Sequence, residues 1–282
     1  MPVPAELISR IERLDPMPMT AHRLMRVLHD DDAGPARIAG CVEFDPAMAS
    51  AVLRLANSAA YGGAVRIASL REAVARLGTS KIVDIVLGDS LQRLKANVPM
   101  YGLGEDELWL HSVAASLAVR ALQQERRRAG IPEAASVAAL LHDIGKLVMA
   151  RFLKADAQAI LARGAEQGIT FVEAERGLLG CDHAEVGGAL GRHWGLPDEV
   201  TDAIEHHHQT PAAPPSALRD AVVVANIVAK TIGAGLGAEG HNLYVDPNAP
   251  KRLGLDFAGF SRVCLQTMTS VQELKQTYSA AA

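Results

Sequence analysis

The sequence predicts an all-α protein, a helical bundle with a smaller helical subdomain at its N-terminus. Helix-start signals recur along the whole chain, whereas the alternating apolar and polar pattern of half-buried strands is scarce. Hydrophobic residues make up 49% of the 282 residues but aromatic residues only 4%. The abundant Ala and Leu favour helices, so we expect a core of helices packed through aliphatic side chains.

The N-terminal half is predicted to contain short amphipathic helices. Asp45 is an N-cap followed by Pro46 at the first helical position, and Gly62-Gly63 would end that helix. Ser69 and Glu72 have the spacing of a capping box, and Thr79 caps the next helix. The predicted helices span 20–30 and 34–43, then begin at Pro46, at Leu70 and after Thr79.

A linker is expected at 95–104, where Pro99, Gly102 and Gly104 cluster. Further helices are predicted at 105–128, 133–153, 156–164, 171–179, 183–194, 198–208, 217–233 and 256–280. Thr170 with Glu173, and Asp182 with Glu185, are two more capping boxes. We therefore expect three segments: an N-terminal helical part (1–95), a part that carries the functional site (96–235) and a helical tail (236–282).

Histidine and aspartate side chains mark the candidate site. His142 and Asp143 are adjacent within an otherwise apolar run, where buried polar groups need partners. Seven of the ten histidines lie between positions 111 and 208, and they are spread over several predicted helices. Donors on different helices can converge inside a bundle to hold a divalent metal. The alternative is a set of scattered core histidines with three solvated ones at a helix end.

Net charge and cysteine content exclude several classes of protein. The formal net charge is −4 and the pI about 6.2, so we expect neither nucleic-acid binding nor membrane binding. The three cysteines are widely spaced, which argues against a disulfide framework and for a reducing compartment. The sequence shows no signal peptide and no stretch that could span a bilayer, so a cytoplasmic protein is expected.

Several segments together resemble an HDOD domain, a helical relative of the HD metal-dependent phosphohydrolases that occurs in bacterial signalling proteins. The resemblance covers residues from about 15 to 230. The matching segments are FDPAMASAVLRLANSAAYGG, IASLREAVARLGTSKIVDIVLG, WLHSVAASLA, AALLHDIGKLVM, CDHAEVGGALGRHWGLPDEVTDAIEHHH and AVVVANIVAK. The resemblance implies that the C-terminal half of the bundle is similar to the HD phosphohydrolases.

The resemblance also implies a set of site residues. For a first metal it implies His111, His142, Asp143 and Asn226, the last at a position where the enzymes usually carry Asp. In the related HD-GYP phosphodiesterases extra histidines hold a second metal, and the matching positions are His183, His207 and His208. Lys146 matches a lysine that contacts substrate phosphate, so Asp143 and Lys146 are the candidate catalytic residues. Glu107 matches an additional carboxylate of some of those enzymes.

Two departures from the enzyme pattern weaken the prediction of catalysis. Asn226 offers a neutral oxygen in place of a carboxylate, which weakens the binding of a hard cation. Asp220 lies six residues earlier on the same predicted helix and therefore faces another direction. The residues after His208 also lack the Asp-Gly-x-Gly-Tyr-Pro sequence of the cyclic-dinucleotide phosphodiesterases.

Two functions stay open at this point. The first is a bacterial regulatory module that acts through signalling-protein partners or a nucleotide or phosphate ligand, with a catalytically weakened metal site. The second is a phosphohydrolase that acts on a nucleotide or phosphoester. Either would use one or two divalent transition metals, with iron, zinc or nickel expected because the donors are mainly imidazole.

Overall fold

The structure is a computed structural model, and all regular elements of its described part are helices. This confirms the all-α prediction. In that part, no helix combines the length and apolar composition that a membrane crossing requires. The described residues are 3–14, 19–28, 34–58, 61, 66–93, 105–152, 162, 168–208, 216–235 and 246–279. The predicted linker at 95–104 and nearly all of the predicted helix at 156–164 lie outside them.

The helices are numbered here in chain order. They are α1 (Ala5–Ile11), α2 (Met19–Leu28), α3 (Pro35–Val42), α4 (Pro46–Ala56), α5 (Leu70–Leu77), α6 (Thr79–Arg93), α7 (Glu105–Glu125), α8 (Ala134–Leu141), α9 (Ile144–Phe152), α10 (Phe171–Leu179), α11 (His183–His193), α12 (Asp198–Glu205), α13 (Ala217–Thr231), α14 (Asn248–Arg252) and α15 (Phe257–Ser279).

The chain divides into two compact units. Unit 1 comprises Met1–Asp15 and Leu94–Met268, and unit 2 comprises Pro16–Arg93 and Thr269–Ala282. In unit 2, α3 packs against α2 and α5, and α4 packs against α5. The apolar faces of these helices form its core, with Leu24, Ile38, Val52 and Ile82 fully buried.

Helix α4 ends earlier than its sequence pattern predicts. The glycines at 62–63 were expected to end it, but the helix stops at Ala56. The side-chain amide of Asn57 donates to the carbonyls of Leu53 and Ile67, and its oxygen accepts from the Ile67 amide at 2.8 Å. Because these bonds tie the helix end to an extended segment ten residues later, the chain leaves the helix at this asparagine.

Unit 1 contains the helices of the candidate site. In this unit α7 packs against α8 and α13, while α11 packs against α9 and α12. Helix α8 also contacts α12 and α13. Its side chains from Ala135 to Leu141 are all buried, so α8 is the central helix of the unit.

The single helix predicted at 133–153 is two helices. Helix α8 ends at Leu141 and α9 begins at Ile144, so His142 and Asp143 form the turn between them. The His142 ring donates from Nδ1 to the carbonyl of Ala139 at 2.7 Å. In a continuous helix that carbonyl would accept from the Asp143 amide, so the side chain competes with the helix at this point.

Other boundaries differ by smaller amounts. The helix predicted at 198–208 ends at Glu205, which leaves His206, His207 and His208 in a turn. The helix predicted at 105–128 ends at Glu125 and is followed by a short 3₁₀ turn at Arg127–Ala129. Helices α1 and α14 are not among the helices predicted from the sequence. The capping boxes at Thr170 and Asp182 are confirmed.

Candidate metal centre

Five histidines and one aspartate from four parts of unit 1 meet at one cluster, in which every residue except the partly exposed His208 is buried. His111 lies in the middle of α7, and His142 and Asp143 form the turn between α8 and α9. His183 is the first residue of α11, and His207 and His208 follow the end of α12. His206 lies outside the cluster and bonds the carbonyl of Asp202 in its own helix.

Asp143 stands between two groups of histidines. Its Oδ2 atom lies 3.6 Å from Nε2 of His111 and 3.5 Å from Nε2 of His142. Its Oδ1 atom lies 3.3 Å from Nε2 of His183 and 3.6 Å from Nε2 of His207. His208 joins the second group through a 2.9 Å contact between its Nε2 and that of His183. We call the two groups the His111 half and the His183 half.

Backbone carbonyls fix the orientation of three of these rings. The Nδ1 atom of His111 is 2.9 Å from the Ala234 carbonyl, and that of His207 is 2.8 Å from the Ile204 carbonyl. The bond from His142 to Ala139 is of the same kind. A carbonyl only accepts, so each Nδ1 must carry the proton. Each Nε2 therefore keeps its lone pair and faces Asp143.

Glu175 orients the fourth ring, that of His183, and no motif of the sequence points to this residue. Its Oε2 atom accepts from His183 Nδ1 at 2.7 Å and from the His183 amide at 3.0 Å. Both side chains are fully buried. A carboxylate behind a histidine is the usual support for a metal ligand, because it fixes the ring and increases its basicity. Only the pairing of α10 with the start of α11 reveals this role.

Burial keeps most of the rings neutral. Desolvation lowers the pKa of His111 and His207, and it lowers the pKa of His142 and His208 well below the usual value. Burial also opposes charge on His183, but the Glu175 carboxylate and Asp143 outweigh it and raise its pKa to about 10. Neutral imidazoles are the form that binds metal ions.

Asp143 stays ionised although it is buried. Burial alone would raise its pKa, but the Lys146 ammonium and the surrounding histidines hold that pKa well below the usual value. Lys146 Nζ lies 2.8 Å from Asp143 Oδ2, and the lysine side chain is only 2% exposed. The cluster therefore contains one carboxylate whose two oxygens face different sets of imidazoles.

The residues of the cluster have the chemistry to hold a metal ion. Within the described part of the chain, Asp143 Oδ1 and His207 Nε2 are buried and have no hydrogen-bond partner, a costly arrangement unless another group satisfies them. Each half offers a carboxylate oxygen and imidazole nitrogens, which are common metal ligands in proteins. In the His183 half, Asp143 and three histidines give four donors. In the His111 half, Asp143 and two histidines give three.

Two glycines allow the close approaches that build this cluster. A Cβ atom on Gly145 would lie 1.9 Å from the carbonyl oxygen of His183, so α9 meets α11 only because this residue has no side chain. Gly235 has a φ of +60°, and its Cβ would lie 2.2 Å from the carbonyl oxygen of Glu107. The turn at Gly235 places the adjacent Ala234 carbonyl against His111.

The structure gives a different environment to each of three further residues that the sequence singled out: Asn226, Asp220 and Glu107. Asn226 on α13 is 7% exposed, and its Oδ1 is buried without a hydrogen-bond partner. Lys230, one helical turn further on, is near enough for its charge to lower the pKa of both His111 and His208. Asp220 is bonded to Arg252, as expected for a residue on another face of that helix. Glu107 is exposed and does not join the described cluster.

The chain matches the model of one known protein family. The family model of the HDOD domain matches residues 14–210, which is well over half of the chain. The chain belongs to the HDOD family. This confirms the resemblance seen in the sequence.

Solved structures share the fold of this HDOD chain. An HDOD domain protein of unknown function from Geobacter sulfurreducens is 27% identical, with a TM-score of 0.77 over 95% of this chain and 96% of the other. A candidate signal transduction protein from Marinobacter aquaeolei VT8 is 23% identical, with a TM-score of 0.70 over 97% of this chain and 64% of the other.

Two further similar proteins are a candidate enzyme and a longer chain. A candidate phosphohydrolase from Shewanella amazonensis SB2B is 23% identical, with a TM-score of 0.64 over 93% of this chain and 98% of the other. An uncharacterized protein from Treponema pallidum (strain Nichols) is 24% identical over 222 residues. That match covers 74% of this chain but only 40% of the length of the relative.

Proposed function

We propose that this HDOD chain is a bacterial regulatory module that binds a divalent transition metal and acts through a protein partner or a ligand, with hydrolysis weak or absent. The burial of the cluster carries this proposal. His142, Asp143 and His183 are each at most 1% exposed. A phosphohydrolase needs its substrate to reach these atoms, whereas a structural or sensory metal does not.

Lys146 supports the same proposal. For a lysine to hold substrate phosphate, its ammonium must face the substrate. Here it is buried and bonded to Asp143. The neutral Asn226 in place of a carboxylate also weakens one candidate ligand. Regulation by protein contact agrees with the signalling role suggested for the Marinobacter relative.

The second candidate is a metal-dependent phosphohydrolase, and the intact donor set favours it. Asp143, His111, His142, His183, His207 and His208 are all in place. When bound, such a metal would supply Lewis acidity and lower the pKa of a bound water. Asp143 would hold it through one or both oxygens, and Lys146 would have to leave Asp143 to contact a phosphate. The Shewanella relative is a candidate enzyme of this class.

Metal analysis of untagged protein, run beside a panel of phosphoesters, tests both candidates. We expect stoichiometric iron, zinc or nickel in the wild-type chain and loss of that metal in His142→Ala and Asp143→Asn. His193→Ala is the matched control, because His193 is exposed and lies outside the cluster. A metal content far below one per chain in folded wild-type protein contradicts metal binding. Rapid turnover that His142→Ala abolishes would favour the enzyme instead.

A further inference from the structure

Unit 2 contains a cavity that the proposed metal centre does not use. It has a volume of about 380 Å³ and lies between α2 and α3. Each helix contributes residues spaced by three and four positions, which therefore share one face. The lining residues are Arg23, Arg26 and Val27 from α2, and Arg37, Gly40 and Cys41 from α3.

The cavity concentrates positive charge. Among the lining residues that the structure describes, none is acidic, and three of the six carry an exposed guanidinium group. Arg23 and Arg37 come from different helices, yet the charge of each acts on the buried Cys41 thiol. Both guanidinium groups therefore lie near the same part of the wall. The Cys41 thiol donates a hydrogen bond to the Arg37 carbonyl, so this side chain lines the cavity and is not proposed to react.

We propose that this cavity binds a phosphate-bearing small molecule of nucleotide size. Guanidinium groups present paired N–H donors that match the oxygens of phosphate, and they remain charged at any physiological pH. The volume falls within the range of small-molecule sites, and Val27 and Cys41 supply apolar wall for the rest of the ligand.

Gly40 provides a way to close the cavity without disturbing the fold. A Cβ atom built on this residue has no neighbouring atom within 4 Å, so the space beside it is open. Gly40 lies inside α3. Since Leu has a higher helix propensity than Gly, Gly40→Leu should keep the helix and place its side chain in the cavity.

Calorimetric titration of the full chain with pyrophosphate, ATP, GTP and a phosphoserine peptide tests the proposal. We expect a nucleotide to bind, with pyrophosphate weaker because it lacks the group that meets the apolar wall. Arg23→Ala and Arg37→Ala should each weaken binding about tenfold, the usual effect of losing a charged hydrogen-bond donor. Gly40→Leu should abolish binding. Arg71→Ala is the control, because Arg71 is exposed on α5 and does not line the cavity.

The metal centre could also attract phosphate, so the titration is repeated with His142→Ala. Binding that persists in this variant and is lost in Gly40→Leu assigns the ligand to unit 2. That result stands even if the proposed metal function fails. The proposal is overturned if no probe binds, if only the peptide binds, or if folded Gly40→Leu and arginine variants bind as well as the wild-type chain.

Discussion

At the scale of residues, the candidate centre depends on the groups that orient the candidate metal ligands as much as on the ligands themselves. Three rings are oriented by backbone carbonyls, which are fixed by the fold. His183 instead depends on the Glu175 side chain. A substitution of Glu175 can therefore remove the support of His183 and leave every candidate metal ligand in place.

Glu175→Gln should weaken metal binding in the His183 half about 10- to 100-fold, because the amide lacks the charge that fixes the Nδ1–H form of the ring. Competition with a chelator measures the affinity, and ¹⁵N NMR of the imidazoles reports the tautomer of His183. Glu173→Gln is the control, since Glu173 lies on the same helix but bonds only Thr170 at the exposed helix start. Equal affinity in Glu175→Gln and wild-type protein would contradict the positioning role.

Asn226→Asp should tighten metal binding about tenfold, because it adds a charged oxygen where Asn226 Oδ1 is buried without a partner. The same chelator competition measures the change. Asn248→Asp makes the same substitution at an exposed position of α14 and should have no effect. Unchanged or weaker affinity in Asn226→Asp would mean that the side chain does not reach the cluster.

At the scale of elements, the centre exists because helices end or approach each other at particular residues. The break between α8 and α9 turns Asp143 toward both groups of histidines. The end of α12 at Glu205 places His207 and His208 in a turn rather than on a helix face. The contact of α9 with α11 brings Asp143 to His183, and Gly145 allows it.

Gly145→Ala should destabilise the fold by about 1–3 kcal/mol, the usual cost of overpacking, and should reduce metal content by separating Asp143 from His183. Thermal unfolding followed by circular dichroism and elemental analysis check the two effects. Gly40→Ala should instead stabilise the fold by up to about 1 kcal/mol, because alanine has a higher helix propensity than glycine and the space beside Gly40 is open. A Gly145→Ala chain as stable as wild type would contradict the close approach of α9 and α11.

At the scale of the whole molecule, the two compact units carry different chemistry. Unit 1 contains the His and Asp cluster, and unit 2 contains the arginine-lined cavity. We propose a metal for the first and a phosphate-bearing ligand for the second. Two such sites suit a regulatory protein, which has to receive a signal and pass it on.

The wild-type chain should not hydrolyse cyclic di-GMP. The segment after His208 lacks the Asp-Gly-x-Gly-Tyr-Pro sequence, and the cluster is buried. A substrate that is poorly positioned loses a large part of the rate enhancement that an enzyme can supply. Chromatographic detection of the linear product, with metal-loaded protein, is the measurement. Turnover at about one per second or faster, typical of modest enzymes, would contradict this prediction if His142→Ala abolished it.

The sequence by itself determined the helical class, the capping boxes at Thr170 and Asp182, and the family. These are local properties: a cap bonds an amide three residues away, and a motif keeps its residues within a short segment. The resemblance also pointed to the six residues that the described part of the structure brings into one cluster, and their role as metal ligands stays a prediction.

Only the tertiary structure decided where the helices end and which groups support the donors. Asn57 ends α4 through a bond to Ile67, and His142 ends α8 by taking the Ala139 carbonyl. Glu175 meets His183 only when the fold brings α10 to the first residue of α11. Each of these effects depends on atoms brought together by folding, and helix propensity does not contain that information.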